Sequence, residues 1–373
     1  MKKIITLSLS LLTLVGLVGC GESSDSSEKV SAGTSTTPAS SEKVDANFDY
    51  SQNIIPVTRD TNSGTREAFT EKIGIKEAAK DDTFLNGSVK KVASNGEVYK
   101  AVEDAPYAIG YGSLDSLTGN EKVHAVKING VMPSVATVLD GTYSIQRPFN
   151  YALPKEQNLG ATRSAIKWAL SEAYITYLTK SNEGLDDIGG ENGIITKEAE
   201  NAAKDWVDVV KENKNSSWVT TLKIDETTGK SKLGTISAEN KFTTVGSTSV
   251  EKIVKASTLS FTKILGLGET AESVTNFNHT GSGDALTKLS NGTGDVGFAS
   301  RAWKKEELTA FDTNYSGTMC LDAVAVIVNN ANPAKDLTTQ QVRDIYFKKE
   351  KVSSYTQGDY SKENQITTWE FLK

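Results

Sequence analysis

Short apolar blocks alternate along this chain with longer segments whose apolar positions recur at helical spacing. The blocks predict strands over Ile54–Thr58, Val89–Val92, Ala108–Tyr111, Ala125–Ile128, Phe149–Ala152, Thr243–Val245, Val274–Phe277, Val296–Ala299 and Ala323–Val328. The longer segments predict helices over Arg66–Lys72, Gly96–Val102, Ser164–Leu178, Ser249–Leu265, Asp284–Leu289, Lys304–Phe311 and Thr339–Phe347. Strands that alternate with helices build mostly parallel sheets. Two α/β lobes are therefore expected, one from residues 54–145 with 325–373 and the other from 150–195 with 240–322. Two extended segments, Arg147–Ala152 and Val324–Val328, are expected to cross between the lobes as hinge strands.

Several strands run directly into polar turns. Thr58-Arg59-Asp60-Thr61-Asn62-Ser63-Gly64-Thr65-Arg66 leads from a strand into a helix. Such a turn aims backbone N–H groups, hydroxyls and the positive end of a helix dipole at one point. Arg59 adds a planar, doubly donating cation. Val245-Gly246-Ser247-Thr248-Ser249-Val250 has the same character, and Ser282 follows Gly281 at another helix start. Asp295 through Ser300-Arg301 reads as a strand ending in a hydroxyl and a guanidinium. One such turn alone is equally well read as a capped helix start. Four at the carboxyl ends of strands describe a crevice that collects a small tetrahedral oxyanion.

With these turns in place, the chain resembles the phosphate-binding lipoproteins that feed phosphate ABC importers, members of the two-lobed periplasmic-binding-protein class. The resemblance rests on Ser63-Gly64-Thr65-Arg66, Val92-Ala93-Ser94-Asn95-Gly96, Ala108-Ile109-Gly110-Tyr111-Gly112, Lys127 through Val131, Gly141-Thr142-Tyr143 and Arg147-Pro148. It continues in Gly246-Ser247-Thr248-Ser249, Gly281-Ser282-Gly283, Asp295 through Arg301, Val324 to Asn330, Leu337 to Tyr346 and Ile366-Thr367-Thr368-Trp369. The implied fold is α/β and two-lobed, with mostly parallel sheets and a two-strand hinge. The segment order differs from the family's, where the Gly-Ser-Thr-Ser strand comes first. A circular permutation accounts for this, because the termini of compact domains are often close and exposed loops tolerate new ends. It places the C-terminal half of the fold at 48–195, a connector at 196–240 with Trp206 and Trp218 as anchors, and the N-terminal half at 241–373. Half-molecules swapped between chains, or a degenerate tandem repeat, are the rival readings.

Met1-Lys2-Lys3, an apolar run from Ile4 to Val18 and the lipobox Leu17-Val18-Gly19-Cys20 predict a secretory signal over 1–19 and a lipidated Cys20. The apolar run is too short to span a membrane, and an acylated Cys20 anchors the protein to the extracytoplasmic face. Residues 20–47, rich in Ser, Thr, Glu and Lys, read as a flexible tether. Cys320 is the one other cysteine, expected as a buried small hydrophobe. Only His124 and His279 are present and no Cys/His cluster exists, so no metal or cofactor is expected. A net charge of −6 argues against nucleic acid as a partner.

The resemblance implies binding, not catalysis, by a monomer that passes phosphate to an ABC permease. Lobe one would present Arg59, Thr61, Ser63, Gly64 and Thr65; lobe two would present Thr248, Ser249, Ser282, Ser300 and Arg301. Where Arg301 stands, the family often has an acidic residue that accepts the proton of hydrogen phosphate. Asp60, Asp284 and Asp295 are then the candidates for that task, and another oxyanion, or a fold-retaining adhesion or signalling role, is the alternative. Ser63 lacks a nucleophile elbow, and no lysine follows Gly64-Thr65 as a Walker loop requires.

Overall fold

The computed structural model describes residues 47–117, 119–155, 164–352 and 365–373; the predicted signal, Cys20 and nearly all of the tether lie outside them. The strands are β1 (Ile55–Arg59), β2 (Lys90–Val92), β3 (Ala108–Ser113), β4 (Val123–Ala125), β5 (Lys127–Ile128), β6 (Gln146–Pro154), β7 (Phe242–Gly246), β8 (Thr275–His279), β9 (Val296–Ala299), β10 (Phe311–Asn329) and β11 (Asp336–Leu337). The helices are α1 (Gly64–Lys72), α2 (Asn95–Glu103), α3 (Val135–Leu139), α4 (Ala165–Lys180), α5 (Asn182–Gly190), α6 (Lys197–Ala202) and α7 (Trp206–Glu212). They continue with α8 (Ser217–Thr221), α9 (Glu251–Leu265), α10 (Ala285–Ser290), α11 (Lys305–Leu308), α12 (Thr339–Tyr346) and α13 (Lys349–Val352).

Eight strands follow one another in the order β2-β1-β3-β10-β6-β9-β7-β8, and β4 joins beside β10. The path has two matching halves. In lobe one, β1 pairs in parallel with β2 and β3, and β10 closes on β3 antiparallel over 324–328. In lobe two, β7 pairs in parallel with β8 and β9, and β6 closes on β9 antiparallel over 150–152. The middle strand of each parallel triplet, β1 or β7, enters a Ser/Gly/Thr turn, and the edge strand β8 enters another at Thr280-Gly281-Ser282. The two hinge segments pair with each other, Ala323 opposite Gln146 and Phe311 opposite Pro154. Crossing strands were expected, but β10 is far longer than the predicted block at 19 residues. Its first part, with Asp312, Thr313, Asn314, Ser316 and Gly317, has no apolar alternation and pairs by backbone bonds at irregular register. That stretch also removes Phe311 from the predicted helix, which shortens to Lys305–Leu308.

Each lobe has its own core. In lobe one Phe69 stacks on Tyr111 with centroids 3.8 Å apart, and Tyr346 meets both edge-on. In lobe two Tyr174, Phe242 and Phe261 pack with Trp206 and Trp218, and Cys320 lies buried among them outside any disulfide. The segment expected as a connector is thus three short helices built into this core: the Trp206 and Trp218 rings stack at 5.6 Å, and Trp206 Nε1 donates to the Gly229 carbonyl. Its polar outer face conceals short helices from a reading of periodicity, because two turns carry too few apolar positions.

The last described segment returns to the first. Ile54 N–H donates to the Thr367 carbonyl at 2.8 Å, Asn53 bridges Thr368, and the buried Trp369 donates to the Tyr107 carbonyl.

Replacing Trp206 with Ala removes a fully buried ring and is expected to cost about 3–5 kcal/mol in denaturant unfolding. A cost below about 1 kcal/mol would show that the helices of 197–221 are peripheral to the lobe.

Candidate functional site

β1 delivers Arg59 to the interior, where the side chain is 1% exposed. Its Nη1 donates to Asn95 Oδ1 at 2.7 Å and its Nη2 to the Ala93 carbonyl at 2.8 Å; Thr248 Oγ1 is a marginal 3.5 Å from Nη2. Nε is buried without a hydrogen-bond partner. Burial pulls the guanidinium below its ordinary value and Asp60 partly offsets it; arginine nonetheless stays charged. A buried cation with an unused N–H is costly unless an anion meets it. After β1 the chain turns at Ser63, whose hydroxyl caps α1 by accepting from Arg66 N. The cap leaves the amides at the start of α1, Gly64 and Thr65, without intrahelical acceptors. Arg66 braces the turn from behind, donating to the carbonyls of Ala78 and Arg59 and pairing with Asp82 at 2.7 Å.

Lobe two meets this turn with three hydroxyl-bearing segments. Gly246 has φ of 113°, a conformation side chains resist, and a Cβ there would collide with the Phe298 carbonyl. The turn that it permits brings Ser247 Oγ within 2.8 Å of Ser300 Oγ, and Ser249 N–H back to Ser247 Oγ. Ser282 Oγ accepts from Ser300 N at 3.0 Å. His279 supports the turn from β8: a carbonyl only accepts, so Nδ1 donates to Ser247 O and Nε2 accepts from Thr244 Oγ1. Across the cleft, Thr65 Oγ1 and Ser249 Oγ lie 2.8 Å apart, and a methyl group at Gly64 would overlap Ser282 Oγ and stand 2.7 Å from Ser300 Oγ.

Nine of the ten predicted ligand residues fall within these segments. Arg59, Gly64, Thr65, Thr248, Ser249, Ser282 and Ser300 come together around the cleft. Ser63 serves as the cap, and Thr61 offers its carbonyl to Lys80 Nζ at 2.6 Å. Arg301 is placed differently. Its Nη1 and Nη2 each lie 2.7 Å from a Glu307 oxygen, and its Nε is 2.9 Å from Glu67 Oε2, an ion pair whose N–H is not aligned as a hydrogen bond. Although burial opposes it, these carboxylates hold the Arg301 guanidinium above its ordinary value. Of the carboxylates weighed as proton acceptors, Asp295 sits at the other end of β9, accepting from Thr243 N, and Asp284 accepts from Thr280. Asp60 caps Asn62 N and lies 3.5 Å from Arg59.

Three residues of the cleft were not singled out from sequence: Asn95, Ser247 and Arg147. Asn95 and Ser247 stand inside motifs that carried the resemblance. Arg147 also stands in a pair that carried the resemblance, Arg147-Pro148, and was expected at the start of a hinge strand with no part in the site, yet it is 2% exposed, and its Nη1 donates to Thr65 Oγ1 at 2.9 Å. A cavity of about 320 Å³ adjoins the cleft between Asn95, Tyr99, Thr248 and Ser249. A larger one, about 380 Å³ between Tyr151, Thr179, Lys180 and Tyr315, shares no residue with it, so cavity size does not mark the site.

Gly64→Ala is expected to prevent the two turns from meeting and to abolish anion binding with little loss of fold; unchanged binding by calorimetry would show that the turns do not close on each other. His279 is held below its ordinary value by burial. As pH falls, the unfolded chain takes up this proton first, so the stability contributed by the neutral imidazole is present above about pH 6.5 and lost below it. Thermal unfolding between pH 7.5 and 5.5 should show a smaller acid loss in His279→Gln; an identical loss would assign the effect to other groups.

A family model described as a PBP superfamily domain matches residues 223–371. The chain is 28% identical over 375 residues to phosphate-binding protein PstS 2 of Streptococcus pneumoniae strain TIGR4, covering all of this chain and 99% of that protein. It is 28% identical over 343 residues to PstS 2 of Streptococcus agalactiae strain 2603 V/R, covering 91% and 94%. The crystal structure of a phosphate ABC transporter, phosphate-binding protein from S. pneumoniae TIGR4 superposes with a TM-score of 0.56 at 27% identity, covering 86% of this chain and all of that one. The chain thus matches a PBP superfamily domain model over residues 223–371 and resembles, from end to end, proteins named as phosphate-binding.

Proposed function

We propose that this protein captures inorganic phosphate between its lobes and delivers it to an ABC importer. The observation that carries the reading is the buried Arg59 guanidinium with its unused Nε–H, at the head of a turn that meets Ser249 through Thr65 and Ser282 and Ser300 through Gly64, with Thr248 Oγ1 3.5 Å from Arg59 Nη2. A tetrahedral dianion fits donors converging from several directions, and each charge-assisted bond in such a cleft contributes about 1.5–3 kcal/mol. Thr61, Ser63, Gly64 and Thr65 complete the shell from lobe one. Arg301 contributes through the ion pairs that it makes with Glu67 and Glu307, not through a free N–H. Closure of the lobes on the anion turns occupancy into a shape that a permease recognises. The names of the streptococcal relatives support the ligand and the transport role.

Two further parts belong to this reading. Cys20 carries the lipid that keeps the protein at the extracytoplasmic membrane face; among the described residues no helix is long and apolar enough to cross a membrane. The segment order is that of a circular permutation, supported by Thr367 and Thr368 pairing with Ile54 and Asn53, where an unpermuted chain would run straight on.

Calorimetric titration of the protein, freed of bound anion by unfolding and refolding, is expected to show one saturable phosphate site. Arg59→Ala should weaken it by about tenfold or more. A folded protein giving no phosphate heat would overturn the reading.

A further inference from the structure

Arg147 occupies the place where the two crossing strands pair. Its Nε and Nη2 both donate to Asp322 Oδ2, at 2.9 and 2.7 Å, and that same oxygen accepts from Ser113 Oγ at 2.6 Å. The guanidinium lies over the Phe149 ring, 5.2 Å from its centroid. Arg147 and Asp322 are each 2% exposed. Three constraints therefore fix the plane of the guanidinium, and the remaining nitrogen, Nη1, points at Thr65 Oγ1, with the Ser300 carbonyl at 3.5 Å.

This contact has one polarity. Arginine has donors and no acceptor, so Thr65 accepts, and a lone pair of its hydroxyl is occupied from the hinge side. The hydroxyl proton is left for the cleft side, where Ser249 Oγ lies at 2.8 Å and Asn95 Oδ1 at 3.4 Å. Ser249 is treated alike, because Asn95 Nδ2 donates to its oxygen at 3.2 Å. A dianion accepts and does not donate along its ionised oxygens, so hydroxyls that already accept from a fixed donor, with the proton turned away from it, are the form that it requires.

We propose that Arg147 is a positioning residue for the anion site: held by Asp322 at the strand crossing, it fixes the Thr65 hydroxyl as a donor toward a bound tetrahedral dianion. This rests on the phosphate reading for the identity of the anion and goes beyond it by assigning specificity for the ionised form to a residue outside the ligand shell. The asymmetry has a consequence for substitution. Removing Arg147 alone strands a buried carboxylate, which is strongly destabilising, whereas removing both partners is not. Arg147→Met is therefore paired with Asp322→Asn.

The test is a double-mutant cycle between that pair and Thr65→Val, read as phosphate affinity and, in parallel, sulfate affinity, with folding checked by circular dichroism. If Arg147 acts through Thr65, the pair weakens binding by about tenfold when Thr65 is present and by less than about twofold in the Thr65→Val background. Arg147→Lys, which keeps a donor on an intact Asp322, should recover part of the affinity with Thr65 and none with Thr65→Val. Equal losses in both backgrounds would overturn the proposal and assign Arg147 a general electrostatic or folding role. Coupling seen with sulfate while phosphate gives no heat would uphold Arg147's role and sink the phosphate reading. No heat from either anion in the folded parent protein would sink both.

Discussion

Both half-sheets close on one strand. β10 gives its last residues to β3 and β4 in lobe one and its earlier stretch, from Phe311 to Ala323, to β6 in lobe two. Backbone groups buried without partners are too costly to tolerate, so the crossing cannot be loosened without exposing or orphaning them. The lobes are consequently joined by a paired ribbon, and the turns at the carboxyl ends of β1, β7 and β9 are held at a distance that this ribbon dictates. Gly64 facing Ser282 and Ser300 with no room for a methyl group is the local result.

The cleft is also a study in how buried cations are managed. Arg66 is spent wholly on lobe one, tying Ala78, Asp82 and the Arg59 carbonyl together behind the turn. Arg147 is neutralised by Asp322 within the hinge. Arg301 is neutralised by Glu307 within its own lobe and by Glu67 across the cleft, where Lys304 also approaches Glu67 at 3.4 Å. Arg59 differs from these three: its nearest carboxylate, Asp60, is 3.5 Å away and more than a third exposed, so solvent screens the pair. Positive charge is thereby concentrated at one guanidinium, although the chain as a whole is acidic.

Much of this was legible in the sequence, and the reasons for the rest are specific. β1, β7 and β9 each combine an apolar block with a glycine or hydroxyl turn, a local signal that needs no knowledge of the partner lobe. Arg301 looked equivalent to Arg59 because each follows a strand, but its partners are Glu307, six residues on, and Glu67, far away in sequence; neither pairing has a local signature. Arg147 was hidden for the converse reason. In an extended segment beside Pro148 it reads as an ordinary hinge residue, and only the register with Asp322 shows that it is enclosed. The helices at 197–221 were missed because their anchoring side chains, Trp206 and Trp218, are too few to mark a period.

The return of residues 365–373 to the start of β1 sets the order in which lobe one is assembled. Lobe two is built almost entirely from one uninterrupted stretch of chain, whereas lobe one draws on sequence from both sides of it. During synthesis the earlier part of lobe one emerges first, yet β10, α12 and Trp369, which belong to the same core, follow most of lobe two. Lobe two can consolidate while its neighbour is still open on one side. The turn that carries Thr65 rests on that core, so its support is complete only once residues 365–373 dock beside Ile54.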